Sequence, residues 1–159
     1  MPEETRYLVN ISATTAILAV VGKANYLNCH AVSDFFAKAI ERGCTKIIVE
    51  CSRCNGMDST FLGMIAGAAL TLRKSEGKLI LTNLNERNLE LVDNLGLNKI
   101  AFVESADNTQ NVQSSTSLEK QNASHADILK AHENLIEADS SNKIKFEDVI
   151  AFLKKENKA

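Results

Sequence analysis

Apolar and polar positions along the first hundred residues switch between two periods. Tyr7, Val9 and Ile11 fall on every second position, the spacing of a strand with one buried face. Ala16 to Val21 is an unbroken apolar run, which predicts a strand buried on both faces. Asn25 to Asn28 supply turn and capping chemistry. Beyond them Ala31/Val32, Phe35/Phe36 and Ala39/Ile40 recur every four residues and predict a helix ending at Gly43. The run TKIIVE (45–50) predicts the next strand. Leu62, Ile65, Ala66, Ala69 and Leu72 predict a second helix, closed by a turn around Gly77. KLILT (78–82) reads as a strand, Leu89, Val92 and Leu95 as a helix ending at Gly96, and Ile100 to Val103 as a short last strand. Strand–helix–strand units in the order ββαβαβαβ predict an α/β fold, with a mostly parallel central sheet and helices packed on it.

The pattern changes after residue 104. Residues 105–123 are polar and nearly free of aliphatics, which predicts a flexible linker between a domain at 1–104 and a two-helix C-terminal extension at 124–159. Ser124 and Asp127 have the spacing of a helix N-terminal box. Ile128, Leu129, His132, Leu135 and Ile136 form one helical stripe, and Phe146, Val149, Ile150 and Leu153 form another. Each stripe requires a surface to cover it. A calcium loop between them fails. With Asp139 as position 1, Ile144 stands where glycine is needed and Ile150 where glutamate is needed.

Composition narrows the function classes. A formal charge of −2 leaves no basic footprint for nucleic acid. No apolar run approaches the roughly 20 residues that span a bilayer, and MPEETRYLV has no charged-then-apolar leader pattern, so the expected location is cytoplasmic. Cys51 and Cys54 form a single CxxC, while Cys29 and Cys44 are too scattered to complete a zinc set. They read as small apolar thiols. His30, His125 and His132 read as solvated or cap-side histidines. No metal, cofactor, phosphate loop or nucleophile–base pair is called for, and the chain is not expected to be an enzyme.

Asp58-Ser59-Thr60 stands apart because it falls at a strand-to-helix junction, on the side of a parallel sheet where sites collect. Two readings are open. Either these residues cap the helix, or Ser59 takes up a phosphoryl group, whose charge of about −1.5 to −2 the helix terminus would favour.

Three segments carry a family resemblance. Met57-Asp58-Ser59-Thr60-Phe61-Leu62-Gly63 resembles the M-D-S-[ST]-G-L-G segment of STAS domains, particularly those of bacterial anti-sigma factor antagonists. Gly22-Lys23-Ala24-Asn25 resembles their G-x-[LIV]-[DN], and Leu91 to Leu97 resembles the ending of their third helix. The likeness runs from Ile17 to Glu104, and Phe61 departs from the usual glycine. It implies the STAS fold and a regulator of transcription that works by partner switching. Ser59 would be phosphorylated by a serine kinase that is also an anti-sigma factor, and dephosphorylated by a PP2C-type phosphatase. It implies a partner-binding surface of Asn25, Asp58, Ser59, Thr60, Phe61 and Gly63. The alternative is a STAS scaffold that is not phosphorylated and binds partners through its surface or its tail helices.

Overall fold

The computed structural model describes residues 4–106 and 115–157. Strands β1 (Arg6–Ser12) and β2 (Thr15–Ala24) are followed by α1 (His30–Glu41), β3 (Lys46–Met57), α2 (Ser59–Lys74), β4 (Lys78–Thr82), α3 (Glu86–Asn94), a 3-10 turn (Leu97–Lys99) and β5 (Phe102–Glu104). A two-residue strand, β6 (Thr116–Ser117), then precedes α4 (His125–Ala138) and α5 (Asn142–Asn157). From β1 to β5, strands and α-helices follow the order that the periodicity predicts.

The sheet runs β5-β4-β3-β2-β1-β6 and is mixed rather than mostly parallel. Strands β2 to β5 pair in parallel, but β1 is antiparallel to both β2 and β6. The reason is the length of the first connection. Ser12 and Thr15 are already partners, so only Ala13 and Thr14 turn the chain, too few for a parallel crossover. Ala13 takes the left-handed conformation at φ 54° that this tight turn demands.

Strand β2 lies between β1 and β3, and its apolar run is buried throughout. One face of the sheet, carrying Tyr7, Leu18, Ile47, Val49, Leu79 and Leu81, meets apolar residues of α1, α2 and α3 to form the core. Strand β3 is twice the length that its aliphatic run predicts, because the polar stretch Ser52 to Met57 continues pairing with β2 as far as Ala24↔Met57. Two register shifts in that extension mark bulges. The long β2–β3 pair carries the start of α2 beside the β2–α1 loop, and that placement creates the candidate site.

The stretch read as a linker is divided. Residues 107–114 lie outside the described residues, Thr116–Ser117 pair with Val9 and Leu8 at the sheet edge, and the His30 amide donates to the Gln121 carbonyl at 3.0 Å. Ser124 caps α4 in a reciprocal box with Asp127, as its spacing predicts. Helix α4 packs along α2, and α5 folds back on α4.

Phe61 anchors this architecture. Its side chain is fully buried and its ring stacks on Tyr7 at 6.1 Å between centroids. Phe61→Ala is expected to lower stability by about 3–5 kcal/mol through lost burial and an unfilled cavity, read as a fall in the midpoint of chemical denaturation.

Candidate functional site

The site is built where β3 passes into α2. Asp58 is in extended conformation and is the N-cap of α2: its Oδ1 accepts from the Phe61 amide at 2.9 Å. Its Oδ2 accepts from the Tyr26 amide at 2.9 Å, and its own amide donates to the Ala24 carbonyl. One carboxylate therefore ties the helix start to the β2–α1 loop. Within that loop Asn25 Oδ1 accepts from the Leu27 amide, and Asn28 accepts from the Tyr7 hydroxyl. Capping thus belongs to Asp58, which leaves the Ser59 hydroxyl, at the first helical position, for another partner.

That partner is His132. Ser59 Oγ and His132 Nε2 are 2.9 Å apart, and His132 Nδ1 is 2.7 Å from the Ile128 carbonyl. The carbonyl can only accept, so Nδ1 carries a proton, and in the neutral ring Nε2 accepts from the serine hydroxyl. The imidazole is buried and meets the Phe146 ring edge-on at 4.8 Å. The expectation that His132 is solvated or cap-side is therefore corrected. Ser59 lies 73 positions away in the chain, and no local spacing announces that pairing.

Below this contact α4 lies almost directly on the α2 backbone. A Cβ at Gly63 would stand 2.2 Å from the Ala131 carbonyl oxygen, and one at Gly67 would stand 2.5 Å from Asn134 Nδ2. Asn134 Nδ2 donates to the Gly63 carbonyl at 3.1 Å. Two glycines within a helix each cost about 1 kcal/mol relative to alanine, and here they make room for close approach. Their i, i+4 spacing on α2 is the signal in the sequence that could have revealed a second helix against this face.

Further ties hold the C-terminal hairpin. His30 Nδ1, at the start of α1, is 2.5 Å from Asp127 Oδ2 in the first turn of α4. At the far end Asn142 Nδ2 donates to the Leu95 and Leu135 carbonyls, and Lys99 pairs with Asp139 at 2.8 Å. The Lys99 ammonium and the hydrogen bonds from Ser141 hold the Asp139 carboxyl well below its usual range.

The residues singled out from sequence are thus gathered at one end of α2 but differ in access. Asn25, Asp58 and Ser59 are half-buried. Thr60 is buried, Phe61 faces the core, and Gly63 lies under Ala131. All four cysteines are buried and free. Burial first, with the charges of Asp58 and Asp127 adding to it, pushes the Cys29 thiol up to about 12, and burial also raises Cys51 and Cys54. Among the described residues, no group of three or more His, Cys, Asp or Glu side chains is placed to hold a metal ion, and no helix is long and apolar enough to cross a membrane.

The His30–Asp127 pair makes the docking of α4 sensitive to pH. Its hydrogen bond to Asp127 raises His30 above the ordinary histidine range, outweighing burial, while the Asp127 and Asp34 charges add to the rise. Burial opposes the Asp127 charge, yet hydrogen bonds from Ser124 and His30 bring its pKa below the usual value. The raised histidine contributes in full below about pH 6.5, and its contribution is lost as pH rises through its folded value. The lowered aspartate contributes above its unfolded value and is lost as pH falls through its folded one. The clip is therefore strongest in mildly acidic solution. An NMR titration is expected to place the His30 midpoint above about 6.5, and Asp127→Asn is expected to bring it down.

Residues 8–104 match the protein family described as Mlab, STAS domain. The fold is similar to that of the anti-sigma factor antagonist SpoIIAA in its unphosphorylated form, at 25% identity over 67% of this chain and 92% of that one, with a TM-score of 0.54. It is also similar to the phosphorylated form of the Bacillus cell fate determinant SpoIIAA, at 20% identity over 67% and 96% of the two chains, with a TM-score of 0.56. An anti-sigma factor antagonist from Mycobacterium paratuberculosis shares the fold at 14% identity over 70% and 93%, with a TM-score of 0.58. No curated protein matches the sequence. Helices α4 and α5 fall outside the matched segment, while the Asp58–Ser59 junction falls within it. That match covers well over half of the chain, which belongs to the STAS domain family.

Proposed function

We propose that the chain is a regulatory binding protein of the anti-sigma factor antagonist type, switched by reversible phosphorylation of Ser59. The observation that carries this reading is the division of labour at the start of α2. Asp58 caps the helix and clamps the neighbouring loop, so the Ser59 hydroxyl is not needed for either task. The first-turn amides of α2 favour a negative group at that position by about 0.3–1 kcal/mol, while the Asp58 carboxylate beside it disfavours one. The net preference of the helix start itself is small, so the modification acts through what packs against or binds Ser59. Exposed Tyr26 and Leu27, on the loop held by Asp58, supply an apolar border for that contact.

In this reading a serine kinase that is also an anti-sigma factor binds the unmodified form around Asn25, Asp58 and Ser59. It transfers the γ-phosphoryl of a nucleoside triphosphate: the Oγ–P bond forms, the bond to the departing diphosphate breaks, and the hydroxyl proton passes to solvent. A PP2C-type phosphatase reverses the modification by hydrolysis. Residues 1–104 act as the regulatory module in the bacterial cytoplasm, with 105–123 connecting it to the helical extension at 124–159. The chain itself has no catalytic role, and its output is the release of a transcription factor from the kinase.

A second reading, a scaffold that is not phosphorylated, is favoured by the exposed Ile144 and Phe152 on α5, which offer a separate contact surface. Ser59→Ala and Ser59→Asp baits in source-cell lysate, read by mass spectrometry, separate the two. The switch predicts a kinase-like partner recovered with the Ala form and reduced about tenfold or more with the Asp form, a loss of at least about 1.4 kcal/mol. Equal recovery by both baits would sink the switch and leave the scaffold.

A further inference from the structure

Helix α4 occupies the ground on which the proposed switch operates. Its imidazole at His132 holds the Ser59 oxygen, Ala131 fits over Gly63, and Asn134 spans Gly67 to reach the Gly63 carbonyl. We propose that α4 is an intramolecular ligand of the Ser59 face, and that docked α4 and a phosphoryl group on Ser59 exclude one another. The α4–α5 hairpin then gates access to the switch, and phosphorylation releases it. The proposal deepens the reading of Ser59 as a phospho-acceptor and relies on it for its biological use, although the exclusion itself is a property of the fold.

Sterics carry the argument. The 2.9 Å between Ser59 Oγ and His132 Nε2 leaves no room for a phosphorus and three oxygens along that direction. The imidazole cannot withdraw on its own, because Nδ1 is anchored on its own helix at Ile128 and the ring is closed in by Phe146. A shift of α4 away from α2 would make room only by parting Ala131 from Gly63 and breaking the Asn134–Gly63 hydrogen bond, which is the release proposed. The charge that a phosphoryl group adds at Ser59 stands next to the Asp58 carboxylate, which caps the same helix end.

Among the described residues α4 is held by its packing on α2 and by the Ser59–His132, Asn134–Gly63 and His30–Asp127 contacts, so its release uncovers Gly63, Met64 and Ala68 of α2 and has to be driven. A modification that clashes with the closed form supplies that drive, because it shifts the equilibrium by as much as it discriminates between the two forms.

The test uses the full chain with phosphoserine installed at position 59 during translation, beside the unmodified protein, Ser59→Asp and Ala131→Glu. The readout is amide hydrogen exchange by mass spectrometry. Ala131→Glu forces a long side chain against Gly63 and serves as a released reference that leaves Ser59 untouched. The expected result is exchange about tenfold or more faster across α4 in the phosphoserine and Ala131→Glu forms, with β2 and β3 peptides still protected. Protection of α4 unchanged in both the phosphoserine and Ser59→Asp forms would overturn the proposal, whatever Ala131→Glu does. No kinase enters the experiment, so its outcome does not depend on whether cells modify Ser59. Release of α4 by phosphoserine, with Ser59 found unmodified in cells, would sink the switch and leave the exclusion standing.

Discussion

Helix α2 is apolar on nearly every side, and the rest of the structure answers that constraint. Leu62, Ile65, Ala69 and Leu72 meet the core that a STAS sheet provides, but Gly63, Met64 and Ala68 are also buried. A helix that is hydrophobic all round loses stability when one face is left in water. In this chain the second face is covered by α4, and the covering is close because Gly63 and Gly67 remove the side chains that would hold it off. The glycines would weaken an isolated helix, so their presence makes sense only with a surface pressed against them.

The same constraint explains how the site is assembled. Burying α2 on both sides requires its N-terminus to be held, and Asp58 does this by satisfying one helix amide and one loop amide at once. Because Asp58 takes the capping task, the next residue is free in a chemical sense: Ser59 sits at the helix start with a hydroxyl that no backbone group needs. Phe61 completes the arrangement from below, its ring on Tyr7, whose hydroxyl in turn reaches Asn28 in the same loop. The departure from glycine at this family position therefore adds core and alters the outer surface little.

Much of this is legible from periodicity, because the elements that face the core repeat at 2 or about 3.6 residues. What is not legible has particular causes. The outer half of β3 is polar from Ser52 to Asn55 and bulged against β2, so it carries no strand period although it pairs to Met57. The direction of β1 follows from a two-residue turn whose length is readable, but the parallel units downstream outweigh it when the sheet is inferred from element order. The pairing of His132 with Ser59 depends on a tertiary contact between distant segments, and a histidine within an apolar helical stripe gives no direction. The glycine spacing on α2 is the available clue, and it points to a close neighbour without naming it.

Position 132 shows why the covering helix is more than a lid of suitable shape. A leucine there would serve the packing against Phe146 and the apolar wall of α2, but it would leave the Ser59 hydroxyl without a partner at a half-buried surface. Such a hydroxyl costs about 1–3 kcal/mol when it is desolvated and unpaired. Histidine instead fills the space and supplies the matching nitrogen, with its other nitrogen fixed on the Ile128 carbonyl so that the ring presents one atom to Ser59. The docked state is thereby tuned to a hydroxyl at that position and to nothing larger. A packing contact alone would depend only on the shape of α2, whereas this one also depends on the Ser59 hydroxyl.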